Sequence, residues 1–320
     1  MVSGEVGGSS HDFRIVTSFC NVAGTGGLGK QAILSIAPLA NPPARIYFTG
    51  RETSRTRAGE LIAQYKSLLQ AGNQDRCDAI FVPCDLASFD SVKSAAQTFV
   101  DSQRDSPDGA VKLHVLLNNA GIMGVPPALT QSGYEVQFGT NYMGHALLVK
   151  LLQPYISATP SSRIMSVSSL GAGLAYSKGV LFDKVKTTQE GRLFSGWWRY
   201  GQSKLANILL AKELAIRHPE ITSISLHPGV IQTNLADGLP GAYKFLVNTI
   251  SKPLCATVEN GAKNHIWAST TPLSELENGQ FYEPVGEVGR KFPQTKTPQL
   301  SAELWDWTQK ELDGWKLDRP

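Results

Sequence analysis

The chain has 320 residues, of which 42% are hydrophobic and 18% are charged, and its net charge at pH 7 is +3. These proportions are typical of a globular protein with a sizeable core, and they exclude a largely disordered chain. Lysine and arginine are scattered and form no basic stripe, so the charge pattern gives no support for nucleic acid as a partner.

The chain starts with MVSGEVGGSSHDF, which has neither the basic start nor the apolar core of a signal peptide. We expect residues 1–12 to be a disordered segment. No apolar run reaches the roughly 18 residues of a transmembrane helix, and the cysteines and histidines show no metal-ligand spacing. The sequence therefore predicts a cytoplasmic protein with no transmembrane segment and no metal site.

Seven β-rich runs alternate with stretches of helical periodicity along the rest of the chain. This alternation predicts an α/β fold, a doubly wound parallel sheet with helices on both faces, in a single domain over residues 13–320. Two connections, at about 170–199 and 230–256, exceed the usual roughly 4 to 6 residues, and we expect them to be substrate loops. The predicted strands are FRIVTSFCNV, ARIYFTG, AIFVPCD, LHVLLNNAG, SRIMSVSS, ITSISLHPG and GQFYEPV.

The first predicted strand leads into a glycine-rich turn, NVAGTGGLGK, in which Gly24, Gly26 and Gly29 have the spacing GxGxxG. Glycine in such a turn lets backbone N–H groups approach a pyrophosphate at a helix N-terminus. In a chain with 30 glycines this spacing also arises by chance. A flexible surface turn is therefore the alternative for this motif alone.

The next two strands end in residues suited to the adenosine half of a dinucleotide. Arg51 follows the second strand, with Arg55 close by, and an arginine there can bind the 2′-phosphate of NADP, where an acidic residue would bind the ribose of NAD. Asp85 and Leu86 end the third strand, where a carboxylate could meet the adenine amino group. Arg51 therefore favours NADP(H), and a solvated surface arginine is the alternative.

Two further strand ends complete the predicted crevice. The fourth strand ends in NNAG, Asn118–Gly121, whose amides could hold neighbouring strands and the cofactor loop. The sixth ends in HPGV, whose Pro-Gly turn could let the backbone approach a nicotinamide ring, with Val230 and Thr233 as contacts. His227 has no carboxylate or second histidine at ligand spacing, so we expect it to be a packed side chain.

The motif YGQSK places Tyr200 and Lys204 on one face of a predicted helix. An ammonium group beside a phenol favours the phenolate and lowers the tyrosine pKa from about 10, so Tyr200 is the candidate acid or base. The fifth strand ends at Ser168 and Ser169, where a hydroxyl could bind the reacting oxygen. For the serines alone, a strand-end turn is the alternative. A hydrolase elbow is excluded because GxSxG is absent.

Taken in order, these motifs resemble the short-chain dehydrogenase/reductase family over about residues 13–286. The phrases NYMGHALLVKLL, YGQSKLANILLAKELA and LHPGVIQTNL are most similar to the branch that contains the retinol dehydrogenases and the WW-domain oxidoreductase. The resemblance implies a Rossmann-type fold. Val22 and Ala23 depart from the family pattern, because they stand where its glycine loop has Thr-Gly.

The resemblance also implies a catalytic tetrad of Asn141, Ser169, Tyr200 and Lys204. In that tetrad Tyr200 is the acid or base, and Lys204 lowers its pKa and binds the nicotinamide ribose. Ser169 positions the substrate oxygen, with Ser168 as the second choice, and Asn141 holds a water in a proton relay. The predicted cofactor-binding residues are Gly24, Gly27, Leu28, Gly29, Arg51, Asp85, Leu86, Asn118, Asn119, Ala120, Gly121, Tyr200, Lys204, Val230 and Thr233.

The sequence and the resemblance together predict an oxidoreductase that moves a hydride between NADPH and the carbonyl carbon of a lipophilic ketone or aldehyde, or the reverse on a secondary alcohol. The alternative is a non-catalytic scaffold with weakened cofactor binding, which the departures in the glycine loop favour. A hydrophobic substrate is expected from apolar loop residues, although core packing or a partner surface is the alternative for some of them. These residues are Phe182, Phe194, Trp197, Trp198, Tyr243, Phe245 and Val247.

The predicted helix Tyr200–Arg217 is apolar over much of its circumference, which indicates burial on more than one side. The resemblance implies dimers or tetramers through such helices and also monomers, so a homodimer stays open. The segment GAYKFLVNTISKPL is the candidate for peripheral membrane contact, since the related retinol enzymes are membrane-bound.

Overall fold

One twisted sheet runs through a computed structural model that describes residues 18–22, 24–39, 45–75, 77–104, 110–191, 195–231, 256–296 and 298–318. Its strands lie in the order β3-β2-β1-β4-β5-β6-β7-β8. All neighbours pair in parallel except β7 and β8, which are antiparallel. The strands are β1 Ser18–Val22, β2 Arg45–Gly50, β3 Asp78–Pro83, β4 Val115–Asn118, β5 Arg163–Val167, β6 Thr222–Leu226, β7 Phe281–Glu283 and β8 Glu287–Val288.

Helices cover both faces of the sheet, which confirms the predicted doubly wound α/β fold. One buried apolar cluster lies between the sheet and α3, α4 and α5, and a second lies under α1, α2 and α6. Helix α4 begins at Val136–Phe138, passes through the π-helical stretch Gly139–Met143 and ends as Gly144–Ser157. The other helices are α1 Gly27–Ile36, α2 Arg55–Leu68, α3 Phe89–Arg104, α5 Ser195–Arg217, α6 Val258–Thr270 and α7 Pro298–Glu311.

The seven predicted strands are present, and β3 to β7 end before the last residues of their sequence patterns. Polar strand ends such as the NNAG and HPG stretches form turns beyond β4 and β6. The edge strand β8 was not predicted, because its two residues, Glu287 and Val288, carry no recognisable alternation. The predicted disordered segment 1–12 and the candidate membrane segment GAYKFLVNTISKPL lie outside the described residues, and within the described ones no helix has the length and apolar character to cross a bilayer.

Helix α5 is buried along most of its length, as its apolar circumference predicted, and α7 of the same chain covers one of its sides. The Ser301 hydroxyl donates to a carboxylate oxygen of Glu213 at 2.7 Å. The Arg217 guanidinium lies 5.3 Å from the ring centroid of Trp305. Packing against α7 of the same chain therefore accounts for part of the burial that the sequence predicted, and the homodimer that the resemblance implied stays a prediction.

Four histidines are buried, and burial lowers the pKa of each to about 4: His114, His145, His227 and His265. Each is therefore neutral in the folded protein at pH 5, whereas an unfolded histidine takes up a proton below pH 6.5. Because the unfolded state binds more protons, stability falls with decreasing pH, by at most about 1.4 kcal/mol per pH unit for each histidine.

We expect the free energy of unfolding, measured in urea, to decrease from pH 7.5 to pH 5.0 and the decrease to be smaller in a His265→Gln variant. The variant lacks one of the groups that protonate only on unfolding. Equal urea midpoints for the unsubstituted protein at the two pH values would contradict neutral burial of these histidines.

Candidate active site

A cavity of about 1030 Å³ opens at the carboxyl ends of the parallel strands, where the strand order reverses between β1 and β4. Open α/β sheets bind ligands at this point. Of the predicted cofactor-binding residues, those that line the cavity are Gly27, Leu28, Arg51, Asp85, Leu86, Asn119, Ala120, Gly121, Tyr200, Lys204 and Val230. Gly24, Gly29 and Asn118 do not line it, and Thr233 lies outside the described residues.

The glycines of the first turn serve different purposes. Gly24 packs against β2, since a Cβ there would lie 2.6 Å from Cβ of Phe48, and its N–H donates to the Thr49 carbonyl at 2.9 Å. Gly26 caps α1, and Gly27 has a φ of +51°, which favours glycine. A Cβ at either position would meet nothing within 4 Å. The space beside Gly26 and Gly27 at the start of α1 is therefore open, as an anion site requires.

Three side chains at the end of β2 and the start of α2 line the same part of the cavity: Arg51, Ser54 and Arg57. The Arg57 guanidinium donates to the Ser54 hydroxyl at 3.0 Å. Arg55, the second arginine predicted here, is paired with Glu52 and lies 5.6 Å from the Phe81 ring centroid. The prediction for Arg55 was therefore wrong, because the first turn of α2 directs Arg57 toward the cavity instead.

The two asparagines of NNAG differ in their surroundings. The Asn119 amide donates to the Val22 carbonyl at 3.4 Å, and its oxygen lies 3.1 Å from Nε2 of His265. It thereby joins β1 to the turn after β4, as predicted. The buried side chain of Asn118 has no hydrogen-bond partner among the described residues, so the expected bridging role does not extend to it.

Asn141 lies in the π-helical stretch of α4 and is fully buried. Its amide oxygen accepts from the Ile122 N–H at 2.8 Å, and its nitrogen donates to the Ile122 carbonyl and to the Ser203 hydroxyl, both at 2.9 Å. Its backbone carbonyl lies 2.9 Å from Nδ1 of His145. The side chain thus ties the turn after β4 to α5, one residue before Lys204.

Ser169 and Tyr200 lie beside each other at the cavity wall, since a Cβ at Gly171 would lie 2.8 Å from Cε1 of Tyr200 and 3.3 Å from Oγ of Ser169. Ser169 also caps the 3₁₀-helix Leu170–Leu174 by accepting from the Gly171 N–H at 3.0 Å. Ser168 donates instead to the Lys204 carbonyl at 2.7 Å, away from the tyrosine hydroxyl. Of the two serines, the structure therefore brings Ser169 to Tyr200.

Burial dominates the pKa values of the tyrosine and the lysine. It raises the pKa of Tyr200 to about 12, with the neighbouring Ser169 hydroxyl acting in the opposite direction. Burial likewise lowers the pKa of Lys204 to about 8. Nζ of Lys204 donates to the Val167 carbonyl at 2.9 Å and lies 5.7 Å from the Tyr200 ring centroid. Desolvation therefore raises the pKa of Tyr200, where the sequence predicted that Lys204 would lower it.

The wall beyond Tyr200 is apolar and comes from three segments. Ile122 and Met123 follow β4, Leu174 ends the 3₁₀-helix, and Trp197 starts α5. Other predicted substrate contacts lie elsewhere: Phe182 packs 5.7 Å from Trp307 in the core.

Trp198 contacts Tyr176 at 5.9 Å between ring centroids and does not line the cavity. His227 does line it, although it is only 5% exposed and packed as expected. The remaining predicted substrate contacts lie outside the described residues: Phe194, Tyr243, Phe245 and Val247.

Comparisons with known proteins agree with this geometry. A family model for short chain dehydrogenases matches residues 22–182. A short-chain dehydrogenase/reductase from Armillaria gallica is 33% identical over 89% of this chain and 87% of its own length. Human retinol dehydrogenase 14 is 31% identical over 88% of this chain and 81% of its own. The solved structure of NADPH-bound carbonyl reductase from chicken fatty liver has a TM-score of 0.60 at 21% identity, covering 86% of this chain and 99% of that one.

Gly201 is the closest contact between α5 and the 3₁₀-helix that Ser169 caps. A Cβ there would lie 2.6 Å from backbone atoms of Leu174 and Ala175. We expect Gly201→Ala to lower the free energy of unfolding by about 1–3 kcal/mol, because backbone atoms have to move. Urea denaturation measures this change.

The matched control is Gly196→Ala in the first turn of the same helix, where the nearest atom would lie at 3.6 Å. This substitution is expected to change stability by no more than about 0.5 kcal/mol. Equal losses in the two variants would contradict the close approach at Gly201.

Proposed function

This chain belongs to the short-chain dehydrogenase/reductase family of oxidoreductases, which use nicotinamide cofactors, and from that premise we propose that it reduces lipophilic ketones or aldehydes with NADPH. The observation that carries the proposal is that Ser169 and Tyr200 lie side by side, with Lys204 next to them, in a cavity that also contains two arginines. The reverse reaction on a secondary alcohol uses the same groups.

The residues present fit a dinucleotide. Gly26 and Gly27 leave open space at the N-terminus of α1, which suits a pyrophosphate. Asp85 lines the same cavity at the end of β3, in reach of an adenine group. When bound, the nicotinamide ring supplies or accepts the hydride.

Three observations favour NADP(H) over NAD(H). Arg51 and Arg57 line the cavity beside β2, and the Ser54 hydroxyl adds a donor. Two guanidinium groups suit a 2′-phosphate, which NAD lacks. The chicken carbonyl reductase, similar in fold, is described as NADPH bound.

Tyr200 is the proposed proton donor. Because burial raises its pKa to about 12, the phenol is protonated at neutral pH and can donate to a carbonyl oxygen. The Ser169 hydroxyl beside it can donate to the same oxygen and stabilise the developing negative charge. Lys204, whose pKa is lowered to about 8, is protonated at pH 7 and favours the phenolate that proton donation leaves behind. Asn141 holds the turn against which Lys204 packs.

The proposed substrate is apolar because Ile122, Met123, Leu174 and Trp197 form the wall next to Tyr200. The similar human relative is named for retinol, a lipophilic alcohol. An apolar wall selects a substrate by its size and shape more than by hydrogen bonds. We therefore expect a range of lipophilic carbonyl compounds to be accepted.

The central test is NADPH oxidation, followed at its absorbance, with a panel of lipophilic ketones and aldehydes. Tyr200→Phe should retain NADPH binding by calorimetry and lose at least about 100-fold in turnover, the usual range for removing a general acid. A protein that binds neither NADPH nor NADH would instead support the non-catalytic scaffold. Binding with equal turnover in Tyr200→Phe would remove that residue from the chemistry.

Cofactor preference gives a separate prediction. Arg51→Ala and Arg57→Ala should each weaken NADPH binding about tenfold or more and leave NADH binding unchanged, because each removes a charge-assisted hydrogen bond to the 2′-phosphate. Arg55→Ala is the control, since its guanidinium is paired with Glu52 and lies outside the cavity. Calorimetric titration with both cofactors measures the difference, and equal weakening for NADPH and NADH would exclude 2′-phosphate recognition.

A further inference from the structure

Helix α6 comes after the cavity-lining residues in sequence. It contacts three segments of the cavity wall, although none of its own residues lines the cavity. The family model ends at residue 182, well before this helix. Its contacts come from residues three and four positions apart, Gly261, Asn264 and His265, which share one face of the helix. Each of the three reaches a different cavity segment.

His265 contacts the turn after β4. It is fully buried, and its Nε2 lies 3.1 Å from the Asn119 amide oxygen. Because the Asn119 nitrogen donates to the Val22 carbonyl, its oxygen faces His265 as an acceptor. The other ring nitrogen, Nδ1, lies 3.3 Å from the Gly261 carbonyl, so both ring nitrogens face acceptors. Burial lowers the pKa of His265 to about 4, so the ring is neutral at neutral pH and has one N–H, which we assign to Nε2 because its contact is the shorter one.

Asn264 contacts the turn after β6. This fully buried side chain donates to the His227 carbonyl at 2.7 Å, and its oxygen accepts from the Gly286 N–H at 3.1 Å. His227 begins the Pro-Gly turn that lines the cavity. The amide nitrogen and the amide oxygen of Asn264 thus each form a hydrogen bond, and the two bonds join segments that are remote in sequence.

Gly261 allows α6 to approach the glycine-rich turn and the start of the second loop. A Cβ there would lie 2.5 Å from Cδ1 of Ile231 and 2.7 Å from Cδ2 of Leu28, and both of those residues line the cavity. One helix face is therefore in contact with the segments after β1, β4 and β6. Few other polar side chains of α6 are buried as deeply.

Ordinary core packing does not require these residue types. An apolar side chain at either position could fill the same volume without the cost of burying a polar group. The two residues instead use their polar atoms on the turns after β4 and β6, with bonds of defined length and direction. Such bonds determine where the turns lie, whereas apolar contacts allow them to shift.

We propose that Asn264 and His265 are positioning residues that hold the turns after β4 and β6 at the separation a nicotinamide dinucleotide requires. The inference rests on the proposed function, because it concerns the same cavity. Neither residue lines that cavity, so each acts through another: His265 through Asn119, and Asn264 through the backbone of His227.

A pair of variants at position 265 tests the first contact. His265→Gln keeps an N–H donor close to the place of Nε2, whereas His265→Asn is polar but too short to reach Asn119. We expect the dissociation constant of NADPH to stay within about twofold for His265→Gln and to rise about tenfold for His265→Asn, which corresponds to the loss of one buried hydrogen bond. At saturating NADPH, kcat should change little, and KM for NADPH should rise with the dissociation constant.

The second contact is tested by Asn264→Leu, with Asn260→Leu as a control at an exposed position of the same helix. Asn264→Leu should weaken NADPH binding about tenfold and Asn260→Leu should leave it unchanged. Thermal midpoints are measured in parallel, and binding is measured well below them. If Asn264→Leu does not fold, the proposal is tested by comparing NADPH binding of His265→Gln and His265→Asn.

The outcomes are distinguishable. Variants that lose thermal stability but bind NADPH as tightly as the unsubstituted protein would reduce both residues to a structural role. Equal weakening by His265→Gln and His265→Asn would overturn the hydrogen bond to Asn119 as the cause. An unsubstituted protein that binds neither NADPH nor NADH would overturn the proposed function itself, and this inference with it.

Discussion

The reversal of strand order between β1 and β4 is the constraint on which the rest of the site depends. The chain leaves β1 toward α1 on one face of the sheet and leaves β4 toward α4 on the other. Among the helices of the described residues none closes the gap between α1 and α4, so the carboxyl ends of the strands open a crevice. The side chains that bear the chemistry reach this crevice from strand ends, and from α5, which crosses beneath it.

Desolvation links the architecture to the chemistry. Tyr200 and Lys204 lie on a helix that is covered on both sides, and burial disfavours the charged form of each group. The pKa of the phenol therefore rises to about 12 while the pKa of the ammonium group falls to about 8, so burial moves the two groups apart in acidity and favours the neutral form of each. Spacing along a helix indicates that two such groups meet, but it does not reveal how deeply they are buried.

Much of the fold and part of the site follow from sequence for identifiable reasons. Parallel strands are buried and end in polar segments, so Asp85 and Asn119 were predicted at strand ends by pattern alone, whereas Ser169 was preferred to Ser168 through the family resemblance. Arg57 was missed because its place depends on the rotation of the first turn of α2, which one residue more or less would change. Asn264 and His265 carry no motif, and His265 meets Asn119 across 146 positions of sequence, a contact that only the folded sheet creates.

Helix α5 explains why the site can be built within one chain. It carries Tyr200 and Lys204 on the side that faces the cavity, and Ser203 and Asn207 bind Asn141 and the Val167 carbonyl. Its other side is covered by α7 through Glu213 and Arg217. A helix supported on both sides has little freedom to tilt, so contacts within the chain hold Tyr200 beside Ser169. The fixed geometry that the proposed proton transfer requires is therefore supplied at least in part by the packing of α5.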